Sequence, residues 1–140
     1  IFFSGANNPL WIVRHNNQEL TLNNKTTKHV YENTKNGAKL FEIKGDKQPI
    51  GLHAVKQHPF TLNEVNVLEG DELYMFTDGY ADQFGGEKDK KFMSKRFKHL
   101  LTTNENVPMD KVKTIINLNF VSWKGSNEQV DDVCVVGVRI

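Results

Sequence analysis

Cysteine occurs once in these 140 residues, proline four times, and no apolar run approaches the roughly 20 residues that a transmembrane helix needs. Each scarcity excludes something. The single Cys134 rules out an intrachain disulfide framework and fits a reducing compartment, so the cytoplasm is the expected location. Its place inside an apolar, strand-like run predicts a small buried hydrophobe. An excess of charge of one sign is also missing: 18 Lys+Arg stand against 17 Asp+Glu, a net charge of +1, which gives no argument for nucleic acid or for contact with an anionic membrane. The five histidines, His15, His29, His53, His58 and His99, form no HxxxH or HExxH pattern and no zinc spacing with the lone cysteine. They are expected at the surface or partly packed, and spacing singles out none as a proton donor. The length is that of one domain with a real core.

One stretch combines an apolar strand with a carboxylate and a glycine. Leu73, Tyr74, Met75 and Phe76 follow the turn signal Glu69-Gly-Asp71 and run directly into Asp78-Gly79. This reads as a strand buried on both faces, with Asp78 at the rim of its sheet. Gly79 beside it lets other groups approach the backbone closely. Near the C-terminus the order is reversed: Gln129-Val-Asp-Asp132 precedes the apolar run Val133-Cys-Val-Val-Gly-Val-Arg-Ile140. If the two strands are antiparallel neighbours, the end of one and the start of the other share an edge, and Asp78 and Asp131 converge.

Carboxylates at close quarters repel unless a cation neutralises them, and an all-oxygen set suits Mg2+ or Mn2+. The spacing is not that of an EF-hand. Counted from Asp78, the third position is Tyr80 and the sixth, where the turn glycine belongs, is Gln83.

Elsewhere, residues 1–3, 10–14 and 19–22 read as strands of a meander around the turn Gly5-Ala-Asn-Asn-Pro9. Residues 23–39 are polar without a sustained period, which predicts a long exposed loop with a short helix around Val30. Leu40 to Ile43 form another strand. Phe60 to Leu62 and Val65 to Val67 alternate, and their expected partner is the 73–76 strand, across Glu69-Gly70-Asp71, with the 133–140 strand near the metal-bearing edge. Phe92, Met93, Phe97, Leu100 and Leu101 predict an amphipathic helix over about 89–101. Its solvated face carries Lys88, Lys90, Lys91, Lys95, Arg96 and Lys98, for which docking of an acidic or phosphorylated protein is the functional alternative. A second helix runs from about Pro108 to Trp123, with Val112, Ile115, Ile116 and Phe120 facing the core.

Phe76-Thr-Asp-Gly-Tyr80, preceded by Glu69-Gly-Asp71 and followed by Asp131-Asp132 at the start of the last strand, resembles the metal-dependent PP2C-superfamily protein serine/threonine phosphatases. The closest likeness is to their bacterial SpoIIE-like subfamily. Ser4-Gly-Ala-Asn-Asn-Pro9 is similar to that subfamily's Gly-His-Asn-Pro turn, and Gln48-Pro-Ile-Gly51 to its Pro-Leu-Gly turn.

The resemblance implies an α+β fold, an antiparallel β-sandwich flanked by helices in α-β-β-α order. It also implies hydrolysis of phosphoserine or phosphothreonine in a regulatory protein, such as an anti-sigma-factor antagonist, by metal-activated water. Carried over by position, Asp78 and Asp131 are the ligands of Mn2+ or Mg2+, two ions in the complete domain, with Gly79 and Asp132 beside them.

Two departures follow. The histidine of the turn is Ala6 here, and the upstream Asp-x-x-Gly-His-Gly stretch that carries the bridging aspartate has no counterpart. Residues 1–140 are therefore expected to be the C-terminal portion of one phosphatase domain, incomplete at the N-terminus, and to self-associate. The parent chain is expected to add sensor domains and, in some forms, a membrane anchor. A phosphoprotein-binding or signal-relay module without catalysis is the alternative, and the upstream stretch discriminates between the two.

Overall fold

A computed structural model describes residues 1–27, 30–51 and 58–140, so His29 and His53 lie outside the described residues. In chain order the elements are β1 (Phe2–Phe3), β2 (Leu10–Arg14), β3 (Thr21–Leu22), β4 (Lys25–Thr26), β5 (Tyr31–Glu32), β6 (Lys39–Ile43), β7 (Asn63–Asn66), β8 (Glu72–Phe76), α1 (Gly79–Asp82), β9 (Phe84–Gly85), β10 (Lys90–Lys91), α2 (Ser94–Thr102), α3 (Met109–Lys124) and β11 (Val135–Arg139). Five strands form one sheet in the order β11-β8-β2-β6-β5, four form a second in the order β1-β7-β3-β4, and β9 and β10 make a small hairpin. All these pairs are antiparallel.

The alternation of side chains along β2 builds two cores at once. Leu10 and Ile12, with Phe41 and Ile43 of β6, face the second sheet and pack with Leu20 and Val65. Trp11 and Val13, with Leu40 and Tyr74, face the helices and pack with Tyr80, Phe97, Leu101, Val112, Ile116 and Phe120. Every residue of β2 is buried, as expected of a strand covered on both faces. The architecture is thus the expected α+β antiparallel sandwich flanked by helices. Among the described residues the helices cover one face only, that of the five-stranded sheet.

Six expectations need correction. Residues 1–3, 10–14 and 19–22 do not form a meander, because β1 and β3 belong to the second sheet and β2 to the first. The 73–76 strand is not buried on both faces, because Met75 on the side away from the helices is 50% exposed. The 60–68 segment does not pair with the 73–76 strand. Its strand β7 joins β1 and β3 in the second sheet, while β8 lies between β11 and β2. The chain changes sheets here because Asp71 is held elsewhere: both its carboxylate oxygens bond the buried Arg14 guanidinium, at 2.8 and 2.6 Å, and one also accepts the Leu68 amide at 2.8 Å. Gly70, at φ +87°, permits the bend.

The 23–39 stretch is neither a plain loop nor helical at Val30. Asn23 and Asn24, both at positive φ, make the two-residue turn of a β3–β4 hairpin, and β5 joins the large sheet through β6. Asn33 and Asn36 then replace missing backbone partners: each side chain accepts an amide two residues on and donates to Thr102.

The helix expected from 89 starts at Ser94, because the positive φ of Asp89 (45°) and Met93 (75°) breaks it and residues 90–91 pair with β9. Phe92 is nonetheless buried, edge-on to Tyr80 and Trp123. Finally, Cys134 is exposed rather than buried, because it lies on a sheet face that nothing covers among the described residues.

Candidate metal centre

The rim that carries Asp78 is assembled by the β8–β11 pair. Register places Phe76 opposite Val135, and one step further the Thr77 amide bonds the Cys134 carbonyl at 3.0 Å. The Thr77 side chain closes the junction. Its hydroxyl donates to the Asp132 carbonyl at 2.7 Å and accepts the Cys134 amide at 2.9 Å. Asp78 follows Thr77 on one strand, and Asp131 and Asp132 precede β11 on the other. The antiparallel neighbourhood on which their convergence depends is therefore present.

Gly79 is needed for that closeness. A Cβ added there would lie 2.5 Å from the Asp132 carbonyl oxygen, a distance that side chains do not tolerate. Helix α1, which follows Asp78, is held by Tyr80, which is 1% exposed, stacks on Phe97 at 4.3 Å and donates to the Ile116 carbonyl at 2.9 Å. Burial raises the Tyr80 phenol well above its ordinary pKa, so it stays protonated. The connection from α3 to Asp131 is tied down by Gln83, whose amide donates to the Glu128 carbonyl at 2.9 Å. Rigid supports thus flank both sources of carboxylate.

All three carboxylates are exposed. Asp131 accepts the Asp132 amide at 2.7 Å, and Asp78, at the start of α1, makes no capping bond. Among the described residues none of the three has an ion-pair partner. Several acids elsewhere in the fold are in ion pairs, among them Asp71 with Arg14, Glu72 with Arg139, Glu42 with Lys98, Asp82 with Lys91 and Glu19 with Lys39.

Carboxylate oxygen is the donor type that hard divalent cations take, commonly one or two carboxylates completed by waters. The set here does not reach a multi-carboxylate cage. No group of three or more metal-ligating side chains occurs among the described residues.

Sequence reading missed Thr77 as the residue that joins the two strands. Its signal was the hydroxyl directly before Asp-Gly. The reading also missed a second polar cluster, toward the other end of β8, where fully buried Glu72 accepts Tyr74 (2.5 Å) and Arg139 (2.5 Å), with His15 Nε2 at 3.7 Å. Burial pushes the Glu72 carboxyl up, but the bonds from Tyr74 and Arg139, the Arg139 charge and the nearby His15 ring outweigh it and hold it below the ordinary value. This cluster is structural, away from the Asp78 rim. Of the basic residues on and before α2, Lys91 and Lys98 are in ion pairs, and Arg96 lies over the Trp123 ring at 4.2 Å.

With this geometry in place, comparison with known proteins gives the family. Residues 4–140 match the model of Stage II sporulation protein E (SpoIIE), and the chain belongs to that family. The fold is similar to that of the SiaA-PP2C domain of Pseudomonas aeruginosa, with a TM-score of 0.72 at 23% sequence identity, over 99% of this chain and 46% of that one. The chain spans about half the length of that structure, and at this identity the likeness concerns the fold alone. A search of curated proteins finds no match. The PP2C-type resemblance read from the sequence is thereby shown for family and fold. No helix among the described residues is long and apolar enough to cross a membrane.

Proposed function

We propose that this chain is the metal-bearing C-terminal portion of a phosphatase domain that hydrolyses phosphoserine or phosphothreonine in a regulatory protein. The observation that supports the reading is the antiparallel β8–β11 junction, where Thr77, the residue before Asp78, bonds Asp132, the residue after Asp131, in a SpoIIE-family fold. Family membership points to a phosphatase; the protein substrate and the metal are the proposal's own.

Asp78 and Asp131 are assigned as ligands of Mn2+ or Mg2+, with Asp132 alongside and Gly79 giving the clearance that brings the strands together. A divalent ion held there supplies charge neutralisation for phosphoryl oxygens and lowers the pKa of bound water. The chain's own part is to hold the two carboxylates still, through Thr77, Tyr80 and Gln83, so that little reorganisation is needed when the phosphate arrives. Two carboxylates suffice for one ion. The second ion of a complete centre requires a further acidic residue, which the family carries in an upstream Asp-x-x-Gly-His-Gly stretch.

The test compares the 140-residue chain with a polypeptide extended by that upstream half, using p-nitrophenyl phosphate and a phosphoserine peptide in the presence of Mn2+. The expected result is hydrolysis by the extended polypeptide and little or none by the 140-residue chain. Equal activity in both would contradict the incomplete-site reading. An extended polypeptide that binds the phosphopeptide without hydrolysing it would replace the enzyme by an interaction module.

A further inference from the structure

Residues 87–98 hold six of the chain's 18 Lys+Arg but two of its 17 Asp+Glu, so this stretch carries +4 in a chain whose total is +1. The charge lies on the β9–β10 hairpin and the first turns of α2. Packing does not account for it, because the hairpin is seated by backbone and glycine contacts. The Gly86 amide bonds the Trp123 carbonyl at 2.9 Å, the Trp123 indole donates to the Gln83 carbonyl at 3.0 Å, and a Cβ added at Gly85 would run into the Trp123 carbonyl. Lys88, Lys90 and Lys95 are exposed and have no acidic partner among the described residues. Lys91 is paired with Asp82, but at 43% and 48% exposure the pair is open to solvent and worth little.

The hairpin touches both segments that carry the proposed metal ligands. On one side Lys91 reaches Asp82, one turn of α1 beyond Asp78, and the Met93 amide bonds the Ala81 carbonyl at 2.8 Å. On the other side Asp89 accepts the Asn127 side-chain amide at 2.6 Å, in the connection that leads to Asp131. A rigid row of cations therefore stands beside the acidic rim. Phe84, opposite Lys91 in the register and exposed, adds an apolar contact.

We propose that the β9–β10 hairpin, with the start of α2, is the docking surface for acidic residues that flank the phosphorylated residue of a protein substrate. This rests on the reading of the rim as the phosphate site. The occupant follows from the juxtaposition of charge: a phosphate is drawn to a cation held by Asp78 and Asp131, while carboxylates nearby on the same segment meet Lys88, Lys90 and Lys91. A uniform polyanion such as nucleic acid fits less well, since its further phosphates would lie against Asp132 and Glu128 and be repelled. Exposed charges act over only about 8 Å at physiological ionic strength, so the cations must be held close to the rim, and the seat on Trp123 does this.

Fluorescence anisotropy on the 140-residue chain tests the proposal with labelled peptides of one sequence, the central serine phosphorylated or not and its neighbours either Asp and Glu or Asn and Gln. In Mn2+-free buffer at low salt, the unphosphorylated acidic peptide is expected to bind about tenfold more tightly than its amide twin. Raising the salt to about 300 mM should remove most of the difference. Lys88→Gln plus Lys90→Gln is expected to lower the affinity for the acidic peptide about fivefold, with the circular dichroism and melting curve unchanged. Lys111→Gln plus Lys113→Gln makes the same change in net charge on exposed positions at the far end of α3, roughly 15–18 Å along the helix from Trp123. This control should shift the affinity less than about twofold.

Equal affinity for the acidic and amide peptides, or an equal loss in the α3 control, would overturn the proposal. Equally tight binding of a single-stranded oligonucleotide or of phosphatidylserine vesicles would also overturn it, by making the hairpin a general polyanion surface. The reading of the rim fails separately: if phosphorylation adds nothing to the affinity of either peptide in the presence of Mn2+, the phosphate site is removed while the acidic preference stands.

Discussion

The hydroxyl of Thr77 donates to the carbonyl oxygen of Asp132 at 2.7 Å, so the residue before one proposed ligand is bonded to the residue after the other. The same hydroxyl accepts the Cys134 amide. Replacing Thr77 by Val keeps the shape and removes both bonds. The expected cost is about 1–2 kcal/mol in urea denaturation, with a several-fold loss of Mn2+ affinity by calorimetry, whereas Thr77→Ser should retain both. Unchanged Mn2+ binding in the valine variant would remove Thr77 from the account of the rim.

At Gly79, helix propensity and packing make opposite predictions. Alanine is the better helix former by up to about 1 kcal/mol, but its Cβ would meet the Asp132 carbonyl oxygen at 2.5 Å, with backbone on both sides of the contact. Packing is expected to win. Gly79→Ala should lower stability by about 1–3 kcal/mol, and a thermal melt at or above the wild-type midpoint would contradict the tight β8–β11 junction.

Glu72 gives a pH prediction. Its carboxyl is held below the ordinary carboxylate range, since the bonds from Tyr74 and Arg139, with His15 and the Arg139 charge nearby, outweigh burial. A depressed carboxyl contributes stability that is fully present above the unfolded pKa and is lost as pH falls through the lower folded value. At neutral pH, Glu72→Gln, which leaves Arg139 without its partner in a partly buried setting, is expected to cost about 3 kcal/mol. The gap between variant and wild type should shrink as pH falls below the ordinary carboxylate range and through the lower folded value. A gap independent of pH in chemical denaturation would show that the charge of Glu72 is not what stabilises.

The Arg14–Asp71 pair sits where the chain passes from one sheet to the other, and both side chains are essentially inaccessible, at 2% and 1% exposure. Asp71→Asn leaves the guanidinium charge buried without its counterion, and a loss of about 3–5 kcal/mol is expected. A cost below about 1 kcal/mol, the range of surface pairs, would mean that this ion pair does not hold the crossing.

How far the sequence carried depended on whether a pattern was local. An apolar run ending in Asp-Gly, and another beginning after Asp-Asp, were enough to place two strands with their acidic ends on one edge, and β8 and β11 are indeed antiparallel neighbours. Alternation in 60–67 located strand β7 but not its partner, because alternation records which face is buried and not which sheet a strand joins. That choice was made by Arg14, 57 positions from Asp71. The polar 23–39 stretch misled for a related reason: its order comes from asparagine side chains that stand in for backbone partners, and that signature has no apolar period. Cys134 looked like a core residue because β11 is apolar on both faces. Only the structure shows that one of those faces is uncovered.

The central claim, that Asp78 and Asp131 together hold a divalent cation, is tested most directly by titrating Mn2+ into the wild-type chain and into the Asp78→Asn plus Asp131→Asn double variant, with calorimetric readout. Both side chains are exposed, so the variant is expected to keep the wild-type melting curve in the absence of metal. The account predicts saturable binding in the millimolar range or tighter for the wild type, and at least about a tenfold loss, equivalent to 1.4 kcal/mol, in the variant. Identical Mn2+ isotherms for the two proteins would contradict it.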